Sequence, residues 1–566
     1  MLTSETLSSL AERCVEVWSN HTLLLLGVGT TLAILWIDNR KRQRQKLPLP
    51  PGPKGLPLIG NMLDIPSTCE WEKYHEWCKE FDTDVLYLNV AGTHMIVLDN
   101  LEVTTDLLEK RSTLYSSRAK FPMIRELMGW DFNFTFMDYG KHWQKYRRLV
   151  HQALHSTAAR QFRPQLIKST RNLLNSFLEK PESLIPNLRH MASETILDIA
   201  YGIEVLPTGD PYVDTAEQAL HYLCAAAMPG AFLVDSIPIL KYVPEWFLWP
   251  FTSNGGGFKK KAREWKVVVR RFAERPFNMV KKGIADGTAK PSFVSNGFAQ
   301  MEAGVEDDAY QEDIIMGAAG TLYTGGTDTT VAALTACMLA LVKNPEIVKK
   351  AQQQLDSVIQ SGHLPDFHDE PLLPYITAIA KEALRWREVL PISVPHYINC
   401  EDEYKGYRIP AGSWVIPNAW RMLHNENVYP DPFKFIPERF LTKDGKLDLK
   451  TQPDPSHACW GFGRRICPGR FLAFEAMWVA IASILYVFDI EKKRDEAGNE
   501  IEPLEDFQSS LVVISNPFPY SIKPRSKEKE ELIKNSALSG RCMAFEDTWA
   551  VIATMLYLFD ISKKTK

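Results

Sequence analysis

Apolar residues in this 566-residue chain gather into a few long runs. From about 307 to 343 the sequence reads as one long apolar helix. It should stop at Asn344-Pro345, where asparagine can cap and proline can open the next helix, PEIVKKAQQQLDSVI. A second run begins at Phe471, directly behind Cys467-Pro-Gly-Arg470. A third, TLLLLGVGTTLAILWI at 22–37, carries no charge, and Val15, Val17 and Trp18 can extend it to the length of a membrane span. Arg40, Lys41, Arg42, Arg44 and Lys46 follow it, whereas Glu5, Glu12, Glu16 and a single Arg13 precede it. By the positive-inside rule the N-terminus faces the lumen and the bulk of the chain faces the cytosol. A cleaved signal peptide would show the opposite charge order and small residues at a cleavage site, so a retained anchor is expected. Residues 47–57, LPLPPGPKGLP, read as a stiff, extended hinge.

Near the C-terminus the pattern repeats itself. Residues 469–493 recur as 540–564, and 15 of the 25 aligned positions are identical, which excludes chance. The second copy lacks the cysteine segment that precedes the first; Cys542 lies after its Gly-Arg, not before it. The charged stretch 527–534 reads as a linker to this copy. Three regions are therefore expected. They are an anchor with a basic stop at 1–46, a catalytic domain at 47–526, and a dispensable linker with a duplicated amphipathic helix at 527–566.

Composition narrows the class. A hydrophobic share of 45% permits a sizeable core, and a net charge of −4 gives no sign of nucleic-acid binding. The nine cysteines contain no C-x-x-C pair, so zinc knuckles and dithiol redox sites are not indicated.

The chemistry concentrates in three places. Trp460-Gly-Phe-Gly-Arg-Arg-Ile-Cys467-Pro-Gly-Arg470 sets one cysteine among glycines and arginines ahead of an apolar helix. Glycines admit a flat cofactor, arginines pair with carboxylates, and a helix N-terminus favours thiolate. Gly325-Gly-Thr-Asp328-Thr329-Thr330 interrupts the long apolar helix with poor helix formers. A threonine there can bond back to a carbonyl one turn earlier and loosen the helix. Lys381-Glu382-Ala-Leu-Arg385 puts opposite charges three apart on one helix face, followed later by Pro437-Glu-Arg439-Phe.

Together these segments resemble the cytochrome P-450 family. Gly463, Arg465, Cys467 and Gly469 match the F-x-x-G-x-R-x-C-x-G haem signature, with Trp460 in place of the phenylalanine. The resemblance implies a mainly α fold with small β-sheets (α+β), preceded here by the N-terminal transmembrane helix. It makes Cys467 the axial thiolate ligand of haem b. Gly325 and Gly326 would line the oxygen pocket, and Asp328 and Thr329 would be the acid–alcohol pair that delivers protons for oxygen activation. Glu382, Arg385 and Arg439 would form a buried structural triad. Trp143 and Arg147, in a W-x-x-x-R pattern, would hold haem propionates together with Arg465 and His396. Segments 121–136, 322–324, 390–394 and 511–514 would face the substrate.

The motif texture is most like basidiomycete members of secondary metabolism, which oxidise terpenoid, polyketide or alkaloid skeletons. The implied activity is oxidation of a lipophilic small molecule by O2 at the endoplasmic reticulum membrane. Electrons would come from NADPH through a separate flavin-containing reductase. Desaturation or rearrangement by the same oxidant, and a non-catalytic haem-binding protein, are the alternatives.

Overall fold

The computed structural model describes residues 47–536 apart from 229, 245–256, 302–306 and 509. The anchor expected at 22–37 and the second repeat at 540–564 lie outside the described residues. The chain divides into two units, one built from residues up to 50 and 400–411, the other from the remainder. The described part of the small unit is a hairpin, Asp402–Tyr404 paired with Tyr407–Ile409. Its two turn residues, Lys405 and Gly406, have φ of 50° and 78°, the pairing that suits a two-residue hairpin. The Arg408 N–H donates to the Pro48 carbonyl at 2.8 Å.

The large unit is mainly helical. The elements that matter for the site are α1 (Glu70–Glu80), β1 (Val85–Val90), β2 (Thr93–Leu98), β3 (Ser117–Arg118), α2 (Lys141–Leu154), α3 (Arg163–Glu179), α4 (Leu184–Tyr201) and α5 (Gly257–Ala285). After these come α6 (Asp308–Gly326), α7 (Asp328–Lys343), α8 (Pro374–Trp386), β4 (His396–Tyr397), β5 (Trp414–Pro417) and α9 (Arg470–Val487). These five strands form one sheet in the order β1-β2-β5-β4-β3, with β2 and β5 parallel and the other pairs antiparallel, and two separate two-stranded antiparallel sheets lie nearer the C-terminus. Arg118 on β3 is thereby placed opposite His396 on β4.

The long apolar helix is two helices. It breaks at Thr327, whose φ and ψ of −85° and −83° are not helical. Back-bonding explains the weakness: Thr324, Thr327, Thr329 and Thr330 each donate a hydroxyl to the carbonyl four residues earlier. Both pieces are buried, as helices apolar on all sides must be. Asp308–Lys343 and Arg470–Val487 are each long and apolar enough to cross a membrane, yet most of each lies inside the core.

The stretch expected to be a linker is helical through 527–536. Ile533 on it is fully buried in the main core. Asn175 of α3 donates to the Ile533 carbonyl at 3.4 Å, Ser361 donates to Glu528 at 2.9 Å, and Lys529 sits over the Tyr486 ring. The charged residues face outward while one apolar stripe docks, a pattern that charge counting alone reads as a linker.

Candidate haem-thiolate site

Cys467 precedes the first turn of α9, held by a bond from its N–H to the Trp460 carbonyl at 2.8 Å. The loop before it must press against 105–110. A Cβ on Gly463 would lie 2.1 Å from the Leu108 carbonyl, and its φ is 55°, so glycine is required on both counts. A Cβ on Gly469 would touch the Cys467 sulfur at 4.0 Å, and glycine keeps that flank clear. Burial raises the Cys467 thiol pKa; the N–H groups of Gly469 and Arg470 and the guanidinium groups of Arg147 and Arg470 pull it back only in part. The backbone N–H groups at the start of α9 therefore act in the expected direction, toward thiolate, while burial acts against it.

Above this loop the fold collects three guanidinium groups. Arg465 donates to the carbonyls of Ser116 (2.6 Å), Phe134 (3.2 Å) and Met137 (2.6 Å), which lashes 116–137 to the cysteine loop. Arg118, a residue the motifs did not nominate, donates to Thr135 and Val394. Arg147 rises from α2. None of the three forms an ion pair among the described residues, and burial followed by mutual repulsion lowers the pKa of Arg118 and Arg465. For Arg147 burial is again the main cause. The ring of Trp143 lies 4.3 Å from the Arg465 guanidinium, and its buried indole N–H has no acceptor. His396 is buried on β4, bonded through Nδ1 to the Tyr115 carbonyl at 2.7 Å. Burial first, then Arg118, drives its pKa far down, so it is a neutral ring here.

Buried cations without anions, beside an orphaned N–H, are costly unless an anionic group completes the set. The two propionates of haem fit that demand, and Cys467 supplies the sulfur below. The residues present therefore suit the cofactor that the motifs imply.

The break between α6 and α7 treats its two glycines differently. A Cβ on Gly325 would meet nothing within 4 Å, whereas one on Gly326 would lie 2.9 Å from Ile196 of α4. Gly326 is thus held to glycine by the packing of α6 against α4. Thr329 donates its hydroxyl to the Gly325 carbonyl at 2.5 Å. Asp328 meets Arg189 at 3.4 Å, and Arg189 also holds Glu217 at 2.8 Å. Burial raises the Asp328 pKa, against the pull of Arg189. No sequence signal pointed to Arg189.

Glu382 and Arg385 of α8 meet through two bonds of 2.7 and 2.8 Å, and Arg439 reaches the same carboxylate at 3.1 Å. The side chains of Glu382 and Arg385 are fully buried.

A cavity of about 190 Å3 is lined by Phe121, Phe136, Ile392, Val394, Trp414 and Leu511, among others. The expected walls at 121–136, 390–394 and 511–514 contribute to it; 322–324 do not.

Comparison with known proteins agrees with this geometry. The cytochrome P-450 family model matches residues 50–522. Cytochrome P-450 monooxygenase 98 of Postia placenta is 44% identical over 92% of this chain and 98% of the relative. Cytochrome P-450 monooxygenase ple1 of Rhodocybe pseudopiperita is 40% identical over 92% of this chain and 98% of the relative. Tryptamine 4-monooxygenase of Psilocybe cyanescens is 39% identical over 89% of this chain and 99% of the relative. A cysteine loop under three unpaired guanidinium groups, a helix opened by threonine back-bonds and a match across most of the chain's length agree: the chain belongs to the cytochrome P-450 family of haem-thiolate monooxygenases.

Proposed function

We propose that this protein is a membrane-anchored monooxygenase that inserts oxygen into a lipophilic small molecule of fungal secondary metabolism. The observation that carries the reading is the set of unpaired cations and the orphaned indole N–H beside Cys467. Haem, when bound, supplies the O2 activation, with electrons from NADPH through a separate flavoprotein reductase.

The chain's own groups do the rest. Cys467 Sγ would hold the iron, and Arg118, Arg147, Arg465 and the Trp143 N–H would bind the propionates. His396, neutral and turned to Tyr115, organises Arg118 by strand pairing rather than by charge. Thr329 holds a proton at Oγ1, and Asp328 resupplies it from the Arg189 side, where Arg189 and Glu217 lead outward. Glu382, Arg385 and Arg439 keep the segment before the cysteine loop in place. The uncharged run at 22–37 and its basic flank support anchoring in the endoplasmic reticulum membrane with the catalytic domain cytosolic. The tryptamine-oxidising relative supports a secondary-metabolite role.

The test is the carbon-monoxide difference spectrum of the reduced full-length protein. The red-shifted Soret band of thiolate ligation is the expected result, lost in Cys467→Ser. A band typical of histidine or neutral-thiol ligation in the unmutated protein would overturn the reading.

A further inference from the structure

The cavity is walled mainly by apolar side chains, with hydroxyls such as Ser67, Thr93, Ser393 and Ser510 among them. Two carboxylates, Asp235 and Glu70, line it, and no lysine, arginine or histidine does so among the described residues. Glu70 opens α1 and is 5% exposed. Asp235 sits on the short helix Leu233–Ser236 and accepts one bond, from the Met123 N–H at 2.9 Å. Arg118 approaches the cavity only through the Val394 carbonyl, and four other flanking cations are paired with other carboxylates. Lys241 holds Glu126 at 2.7 Å, Arg125 holds Asp138 at 3.4 Å, Lys73 holds Glu76 at 2.9 Å, and His75 holds Asp99 at 2.5 Å.

A carboxylate facing an apolar cavity with no counter-ion is destabilised. Burial pushes the Asp235 carboxyl up to about 7 and raises Glu70 as well. If Asp235 served only to cap Met123, a neutral asparagine or serine would do as well, without the desolvation of a charge.

We infer that the cavity selects a lipophilic substrate carrying a cationic nitrogen, and that Asp235, seconded by Glu70, is the specificity-determining counter-ion. The apolar walls take the hydrocarbon part; the cation supplies the charge that the lining lacks. Cation and carboxylate attract more strongly in a partly desolvated site than in water, and the attraction orients the substrate by its charged end. This inference rests on the monooxygenase reading and refines its substrate class.

The test uses the full-length holoenzyme and two matched probes, phenylpropyltrimethylammonium and its uncharged isostere with carbon in place of nitrogen. The quaternary nitrogen has no lone pair and cannot ligate iron. Calorimetry should show the cation binding at least tenfold more tightly than the isostere. Asp235→Asn should abolish that preference, and Glu70→Gln should reduce it, while the isostere binds all three proteins alike. A preference that survives both substitutions, or an unmutated protein that favours the isostere, overturns the inference. The carbon-monoxide spectrum of the same samples separates the two readings. A thiolate band with no charge preference defeats only the substrate class, and a missing band in the unmutated protein defeats the monooxygenase reading itself. If Asp235→Asn loses the band by unfolding, the probe comparison on the unmutated protein and on Glu70→Gln still decides.

Discussion

Two buried charge clusters flank the cysteine loop, and they are built on opposite principles. In the first, the Glu382 carboxylate takes Arg385, Arg439 and the Ile436 N–H, while spare guanidinium donors of Arg385 go to the Leu423 and Lys434 carbonyls. In the second, Arg118, Arg147 and Arg465 have no carboxylate partner among the described residues, and the Trp143 N–H beside them has no acceptor. A cluster paired within the chain is scaffolding, because its desolvation is already offset by the protein. A cluster left open marks where an outside charge belongs. The same logic, with the sign reversed, singles out Asp235 and Glu70 in the cavity.

The contrast breaks most sharply on removal of one member from each cluster. Glu382→Gln strands two buried cations and should cost about 3–5 kcal/mol. Thermal unfolding of the haem-free protein should show a lower midpoint. Arg147→Leu, by contrast, removes a half-buried cation with no ion-pair partner among the described residues. It should raise the midpoint of the haem-free protein, yet weaken haem retention measured by transfer to apomyoglobin. Equal destabilisation by both variants would remove the distinction.

A smaller effect is expected at the opened helix. Thr329→Ala and Asp328→Asn should each lower product formation about a hundredfold, the scale of a lost proton-transfer group. NADPH consumption should continue with release of peroxide. The carbon-monoxide spectrum should stay intact, since neither residue belongs to the cysteine loop or the cation cluster.

The C-terminal segment offers the third test. A chain ending at 526 removes Ile533 from the core and should lose about 2 kcal/mol of stability. A chain ending at 536 should melt like the full-length protein. The least effect is expected at Arg189. Burial raises the Asp328 pKa and Arg189 opposes that rise, so Arg189→Gln should let it climb further. The acid limb of the rate profile, where the carboxylate is lost, should then move to higher pH. A shift to lower pH would contradict the ion pair.

The motif residues were legible because their spacing carries local geometry. Cys467 needs Gly463 shortly before it for the same backbone approach that the haem signature encodes, and Glu382 and Arg385 lie three apart on one helix face. Residues that act through remote partners were not legible. Arg118 lies in none of the motifs, and its neighbours Thr135 and Val394 come from other segments. Arg189 faces Asp328 across 139 positions of sequence. The charged stretch at 527–536 looked like a linker because charge dominates its composition, while one isoleucine decides its packing.

The sequence by itself determined the family, the cysteine loop, the threonine-weakened helix and the triad, since each depends on residues close together in the chain or on their order along it. Tertiary structure alone decided that Gly326 packs while Gly325 faces open space, that three arginines meet without an anion, and that two carboxylates line an apolar cavity without a cation. The physical reason is that an unpaired charge is defined by what fails to pack beside it, and that depends on every segment the fold brings near.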